Sequence, residues 1–465
     1  MPRRWQVLTV VSIAVFMASL DLFIVNIAFP DIQRDFSGAG VASVSWVLNA
    51  YAIVFAALLV PAGRFADRVG RRRAFIGGVL LFVLGSLLCG AAPSVATLVA
   101  ARVIQAVGAA FLLPTSLALL LPEFPPQQRA AAIGVWAAVG GIAAAMGPPL
   151  GGLLVEGSWR LVFLVNLPVG AIALVLALRV LRESRDESSL RPDLLGTALL
   201  TGAVGLLALG LVKAPDWGWA DTRTLGALAA SAVGLAVFWR RCLSHPSPVV
   251  DPSMLRVRSF ALAGTASLLF SAAFAAMLLA SVLFMTGVWH ETVLRAGLSL
   301  APGPLMAATF APLAGMLANR LGQRALAAAG ISVFALGCLW WLWQLGPERD
   351  YAGEMLPGLI VTGIGVGLTL PSLASAAAAS LPPARFATGS AVFTMSRQLG
   401  FVLGVAILVA VLGSADETDP AAMFDGGWLF MAVASVLGVG AAAGIGEVRQ
   451  HVPALAEPAV AMPAD

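Results

Sequence analysis

The chain has 465 residues, of which 59% are hydrophobic and only 11% charged, with 28 Lys and Arg against 24 Asp and Glu and a mean hydropathy of +0.92. An average soluble domain carries about 25% charged residues, so this chain has too little charge to cover a water-facing surface. The composition excludes a disordered chain, a nucleic-acid binder and a soluble multidomain enzyme. Cys89, Cys242 and Cys338 stand apart and give neither a disulfide framework nor a metal-ligand spacing.

Apolar stretches of about 17–25 residues cross a bilayer as helices. Fourteen are predicted: 5–29, 44–62, 74–92, 96–121, 130–155 and 161–178, then 194–212 and 224–239, then 260–287, 298–318, 325–345, 355–380, 388–412 and 427–445. The first contains Asp21 and is longer than the apolar core of a secretory leader, so it reads as an uncleaved first helix. The eighth is short at 16 residues, and Arg240 and Arg241 at its end can snorkel to the headgroups. With the N-terminus cytoplasmic, 20 of the 28 basic residues fall in cytoplasmic segments and six outside, while Arg102 and Arg397 lie within spans. That bias fits the positive-inside rule with both termini cytoplasmic. The expected fold is an all-α polytopic membrane protein. A six-helix bundle covers 1–180, two inserted helices with cytoplasmic linkers cover 181–258, and a second six-helix bundle covers 259–446. An Ala/Pro-rich tail over 447–465 reads as disordered. No connector is long enough for a catalytic domain, so the activity belongs inside the bilayer.

A repeat supports this division. GRFADRVGRRR from Gly63 and GMLANRLGQR from Gly315 align at an offset of 252 residues, pairing Gly63 with Gly315, Ala66 with Ala318, Arg68 with Arg320, Gly70 with Gly322 and Arg72 with Arg324. The first copy joins spans two and three and the second joins spans ten and eleven. The inserted pair therefore separates two halves of six spans, as repeats in transporters do.

Asp21 is the sole acid deep in a span. A membrane carboxylate is costly and marks a proton relay, an ion pathway or a counter-charge. At 1.5 Å per residue, Asp21 and Arg102 both lie roughly 9–14 Å below the outer surface, so a structural pair between them is the alternative to a relay. Gln105 shares a helix face with Arg102. Asn26, Asn49 and Asn166 fall at similar depth and suggest a polar pocket opening outward, with interhelical hydrogen bonding as the alternative. Arg397 and Gln398 lie at mid-depth in span thirteen, where substrate contact and packing are both open. Gly140, Gly141, Gly147, Pro148, Pro149, Gly151 and Gly152 give span five a small, kinked surface. In the loop after span two, Gly63 and Gly70 permit tight turns. Arg68, Arg71, Arg72 and Arg73 serve topology there, whereas Asp67 suits the positive end of a neighbouring helix and a cytoplasmic gate. His290 and Glu291 read as a solvated loop pair. No Ser/Lys dyad, Asp pair or His/Glu metal spacing occurs in the spans, which sets an intramembrane enzyme or a sensor far behind transport.

These motifs are similar to those of the major facilitator superfamily. GRFADRVGRRR resembles its cytoplasmic loop signature, and LDLFIVNIAFP (20–30) resembles the first-helix signature of its fourteen-helix drug:proton antiporter branch. LVAARVIQAVGAA (98–110) resembles the fourth-helix motif and GGIAAAMGPPLGGLL (140–154) the fifth-helix antiporter motif. WRLVFLVNLPVG (159–170) and SRQLGFVLGVAI (396–407) are also similar to that branch. Ala106 stands where the fourth-helix motif has Gly, and Asn319 replaces the acid of the second loop copy. The resemblance implies a bacterial inner-membrane exporter of lipophilic cationic or neutral compounds, driven by the proton gradient without a cofactor and working as a monomer by alternating access. It also implies that span five seals the cavity between the halves, and that Asp67 faces the start of span thirteen, where Thr388–Gly389–Ser390 reads as a cap. The alternative is proton-linked or facilitated transport of a specific small metabolite, against which the antiporter form of span five argues.

Overall fold

The computed structural model describes all residues except Met1, Gly38, 186–190, 382–385, 415–420 and 447–465. The predicted tail therefore lies outside the described residues. The first half comprises α1 (Arg3–Asp35), α2 (Val41–Val69), α3 (Arg71–Gly90), α4 (Val95–Leu120), α5 (Pro126–Gly157), α6 (Leu161–Leu164) and α7 (Asn166–Val180). The inserted pair is α8 (Leu194–Trp217) and α9 (Thr222–Ser244), followed by the short α10 (Pro252–Leu255). The second half comprises α11 (Arg258–Gly287), α12 (Val293–Ser299), α13 (Pro302–Leu321), α14 (Gln323–Gln344), α15 (Leu356–Ala379), α16 (Phe386–Gly413) and α17 (Asp425–Ala443). Thirteen helical segments are long and apolar enough to cross a membrane, and α5, bent by 40° between Ala144 and Met146, makes fourteen. Among the described residues there is no strand.

Several boundaries differ from the sequence reading. α1 runs through Pro30 to Asp35, because a proline removes only one ladder hydrogen bond and the surrounding turns are buried. The eighth span is 23 residues long, with the Asp221 side chain accepting from the Arg223 N–H at its start. The sixth is interrupted at Val165 into α6 and α7, and the tenth at Leu300–Ala301, just before Pro302, into α12 and α13.

The turns of the repeat have one geometry. Gly70 ends α2 and opens α3 at φ 123°, and Gly322 does the same between α13 and α14 at φ 80°. Both angles favour glycine. The end of the molecule that holds these turns also holds the start of α1 and the end of α17, and is rich in arginine. This end is the basic face of the molecule, and the opposite end is its acidic face.

α8 and α9 pack on each other, and α8 also lies against α2 and α16, covering the seam between the halves on that side. At the basic face Asp193 accepts from the Gly196 N–H at 2.8 Å and from Arg241 Nε at 2.7 and 3.0 Å, which ties α8 to α9. Arg64 of α2 donates to Ser247 Oγ, in the connector after α9, at 2.5 Å. At the acidic face Asp35 accepts from Trp159 Nε1 at 2.9 Å and Arg160 Nη1 at 2.8 Å.

Candidate functional site

Asp21 of α1 is 0% exposed and Arg102 of α4 1% exposed, and the two form an ion pair through Arg102 Nη1. The other Asp21 oxygen accepts from Gln105 Nε2 at 2.7 Å and from Asn166 Nδ2, at the start of α7, at 3.2 Å. Arg102 Nη1 also donates to Gln105 Oε1 at 2.7 Å, and Nε donates to the Val47 carbonyl of α2 at 3.1 Å. The guanidinium lies 4.0 Å over the Tyr51 ring, a cation–π contact that strengthens in a dry interior. Ser86 of α3 accepts from Gln105 at 3.2 Å and from Asn166 at 3.0 Å, and its hydroxyl donates a hydrogen bond to the Phe163 carbonyl at 2.8 Å. Five spans thus meet on one buried charge pair. The local sequence explains the convergence: Arg102 and Gln105 are three apart on α4, and the break at Val165 places Asn166 at a helix start.

The polar residues predicted to open outward divide into two sets. Gln105 and Asn166 are locked into the charge network. Asn26 turns back on its own helix, donating to the Leu22 and Phe23 carbonyls at 3.2 and 3.4 Å. Asn49 is 0% exposed, and neither of its amide atoms has a partner among the described residues. Asn26, Asn49 and Arg102 line a cavity of about 20 Å³ with Leu48, Phe401 and Val405, room for about one water. Gln105 and Asn166, bonded to Asp21 inside the first half, do not line this cavity. Ser86 and Tyr51 went unseen in the sequence, where a lone hydroxyl or phenol in an apolar span gives no signal.

The halves also meet on an aromatic layer beside this cavity. The rings of Phe23, Phe274 and Phe401 lie 6.0–6.3 Å apart. α5 forms the second junction. Gly147 and Gly151 pack on Phe23, Ile24 and Ile27 of α1, and Gly152 packs on Leu294 of α12. A Cβ on Gly297 would lie 2.6 Å from the Pro148 carbonyl oxygen. Gly140 makes an ordinary contact with Ser19 of α1, and Gly141 faces open space. At the acidic face a cleft of about 850 Å³ opens between α1 and α5 on one side and α11 and α12 on the other. Glu291 lines it but is not a solvated loop residue: its side chain is 4% exposed and pairs with Arg349 and, at 3.5 Å, with Arg295.

The arginine-rich loop closes on the first half itself. Asp67 pairs with Arg71 at 2.8 Å. The N-terminus of α3 is instead covered by Glu183, which accepts from the Arg72 and Arg73 N–H groups at 3.1 and 3.3 Å. Arg72 also donates to the Leu178 carbonyl at 2.9 Å, while Arg68 is exposed and Gly63 packs on Pro114 of α4. α16 begins at Phe386, so Thr388–Gly389–Ser390 lie inside its first turn rather than before it. Arg397 is partly buried, and among the described residues it has no hydrogen-bond or ion-pair partner. Gln398 is 0% exposed with both amide atoms unpartnered.

The family model described as Major Facilitator Superfamily matches residues 11–405, and again 265–457. The chain belongs to the major facilitator superfamily. Among its major facilitator relatives, a multidrug resistance protein, Stp, of Mycobacterium tuberculosis is 38% identical over 418 residues, 89% of this chain and 77% of the relative. A tetracenomycin C resistance and export protein of Streptomyces glaucescens is 33% identical, covering 89% of this chain and 76% of the relative. A cephamycin export protein, CmcT, of Amycolatopsis lactamdurans is 34% identical over 87% of this chain and 84% of its own length. This major facilitator is a multi-pass transporter of the bacterial cell membrane, not an enzyme, and it falls in the drug-efflux branch of the family.

Proposed function

We propose that the protein exports lipophilic small molecules in exchange for protons, by alternating exposure of a site between its two halves, with the basic face in the cytoplasm. The observation that carries this reading is the enclosed Asp21–Arg102 pair, with donors from α4 and α7 on the carboxylate. A proton on Asp21 removes the charge that balances Arg102 and turns one acceptor oxygen into a donor. Breaking one side of a buried pair costs about 3–5 kcal/mol, so protonation favours a rearrangement of α1 against α4. α1 carries Phe23 of the aromatic layer and the surface on which Gly147 and Gly151 of α5 rest. A shift of α1 therefore reaches both junctions between the halves. The names of the relatives, which refer to multidrug resistance and to tetracenomycin C and cephamycin export, support a small-molecule drug as cargo.

The test is dye efflux from proteoliposomes of the purified chain, with and without a pH gradient. Asp21→Asn should abolish the gradient-driven component while equilibrium binding of the dye persists. Intact gradient-driven efflux by this variant would end the relay assignment.

A further inference from the structure

We infer that the transported molecule carries an acidic group, held by Arg397 beneath the aromatic layer. This rests on the exporter reading above and names its substrate class. A membrane acid is the usual anchor for a cationic cargo, and Asp21 is the sole acid deep in a span. The structure removes it from use: Asp21 is 0% exposed, one oxygen is paired with Arg102, and the other accepts from Gln105 and Asn166. Among the described spans no negative charge at this depth is left over for a ligand. Arg102 is equally spent, on Asp21, Gln105 and the Val47 carbonyl.

Arg397 is in the opposite condition. It lies in the middle of α16, partly open, with no described partner. Its place on the helix is fixed by its neighbours. Phe401 and Val405 follow at four and eight residues, both line the cavity between the halves, and Phe401 touches Phe23 of α1 and Phe274 of α11. Residues spaced by four share one helix face, so Arg397 sits on the seam-facing side, one turn nearer the basic face than the aromatic layer. An unpaired guanidinium there makes that part of the seam electropositive, and its planar fork suits a carboxylate or another delocalised oxyanion. The phenyl rings above it suit an aromatic body. Together they describe a lipophilic organic acid, not a quaternary amine.

Three matched probes test this: anthracene-9-carboxylate, its neutral amide, and the anthracenylmethyl-trimethylammonium cation. Equilibrium binding to the purified full-length chain in detergent should rank acid above amide above cation. Charge-assisted hydrogen bonds exceed neutral ones enough to give the acid an advantage over the amide of about tenfold. Arg397→Gln should collapse that ratio toward one, and Arg397→Lys should restore part of it. The amide reports whether each variant still folds and binds. A wild-type preference for the cation, or a ratio unmoved in Arg397→Gln, would overturn the assignment. Absence of gradient-driven transport of any probe, with the acid preference in binding retained, would count against the exporter reading instead and leave Arg397 as the anion site.

Discussion

At the scale of single residues, Asn49 is the neighbour that the charge network leaves out. Two residues before it, the Val47 carbonyl holds Arg102, yet the Asn49 amide faces a cavity of about 20 Å³ with nothing bonded to it. An unsatisfied buried amide costs about 1–3 kcal/mol, and a water bridging it to the guanidinium would offset that. Asn49→Leu should therefore hold or raise the thermal unfolding temperature while lowering proton-coupled transport, because it fills the water's space. A fall in both would mean that the amide serves packing alone. The Asp21–Arg102 pair was legible because two opposite charges at matched depth stand out in a chain with 11% charge. The direction of the pocket was not legible. Lipid, helix neighbour and cavity are equally apolar, so a sequence does not say how a helix is rotated about its axis. Glu183 was hidden for another reason: it lies in a connector of mixed charge, where an acid that covers a helix start resembles a solvated one.

At the scale of elements, the junction of α5 and α12 depends on the absence of side chains. The Gly/Pro pattern of span five was plain in the sequence, but its partner surface was not, because α12 follows a loop and is only seven residues long. Gly297→Leu drives a side chain into the fixed Pro148 carbonyl, an overpacking that costs about 1–3 kcal/mol. The expected outcome is a lower unfolding temperature and faster labelling of a cysteine placed at Leu294, as the junction parts. Gly141→Ala, with open space around it, should match wild type in stability. Equal labelling in wild type and Gly297→Leu would show that α5 and α12 already separate freely.

At the scale of the molecule, the loop repeat in the sequence suggests a division into two halves and an inserted pair, and Gly70 and Gly322 share a positive φ at its two turns. What the inserted pair does was not readable, since nothing in its sequence names a neighbour. α8 touches both α2 and α16, so if the halves rock, one of these contacts must slide. The Arg64–Ser247 bond ties the connector after α9 to α2, which makes α16 the sliding side. A Cβ on Gly413 would lie 3.0 Å from Cβ of Pro215, within reach of a disulfide after small adjustment. Pro215→Cys with Gly413→Cys should block transport when oxidised and release it on reduction. Full transport in the oxidised form would show that α8 travels with the second half. The position of α8 also makes the two flanks of the molecule unlike. With α8 laid over the α2–α16 edge, that flank is walled off from the acyl chains. On the opposite flank α5 packs against α12 and α13, and α13 presents Leu305, Leu313 and Met316 to the surroundings. The inserted helices thus give the two seams unlike walls, one backed by an added helix and the other closed by α5.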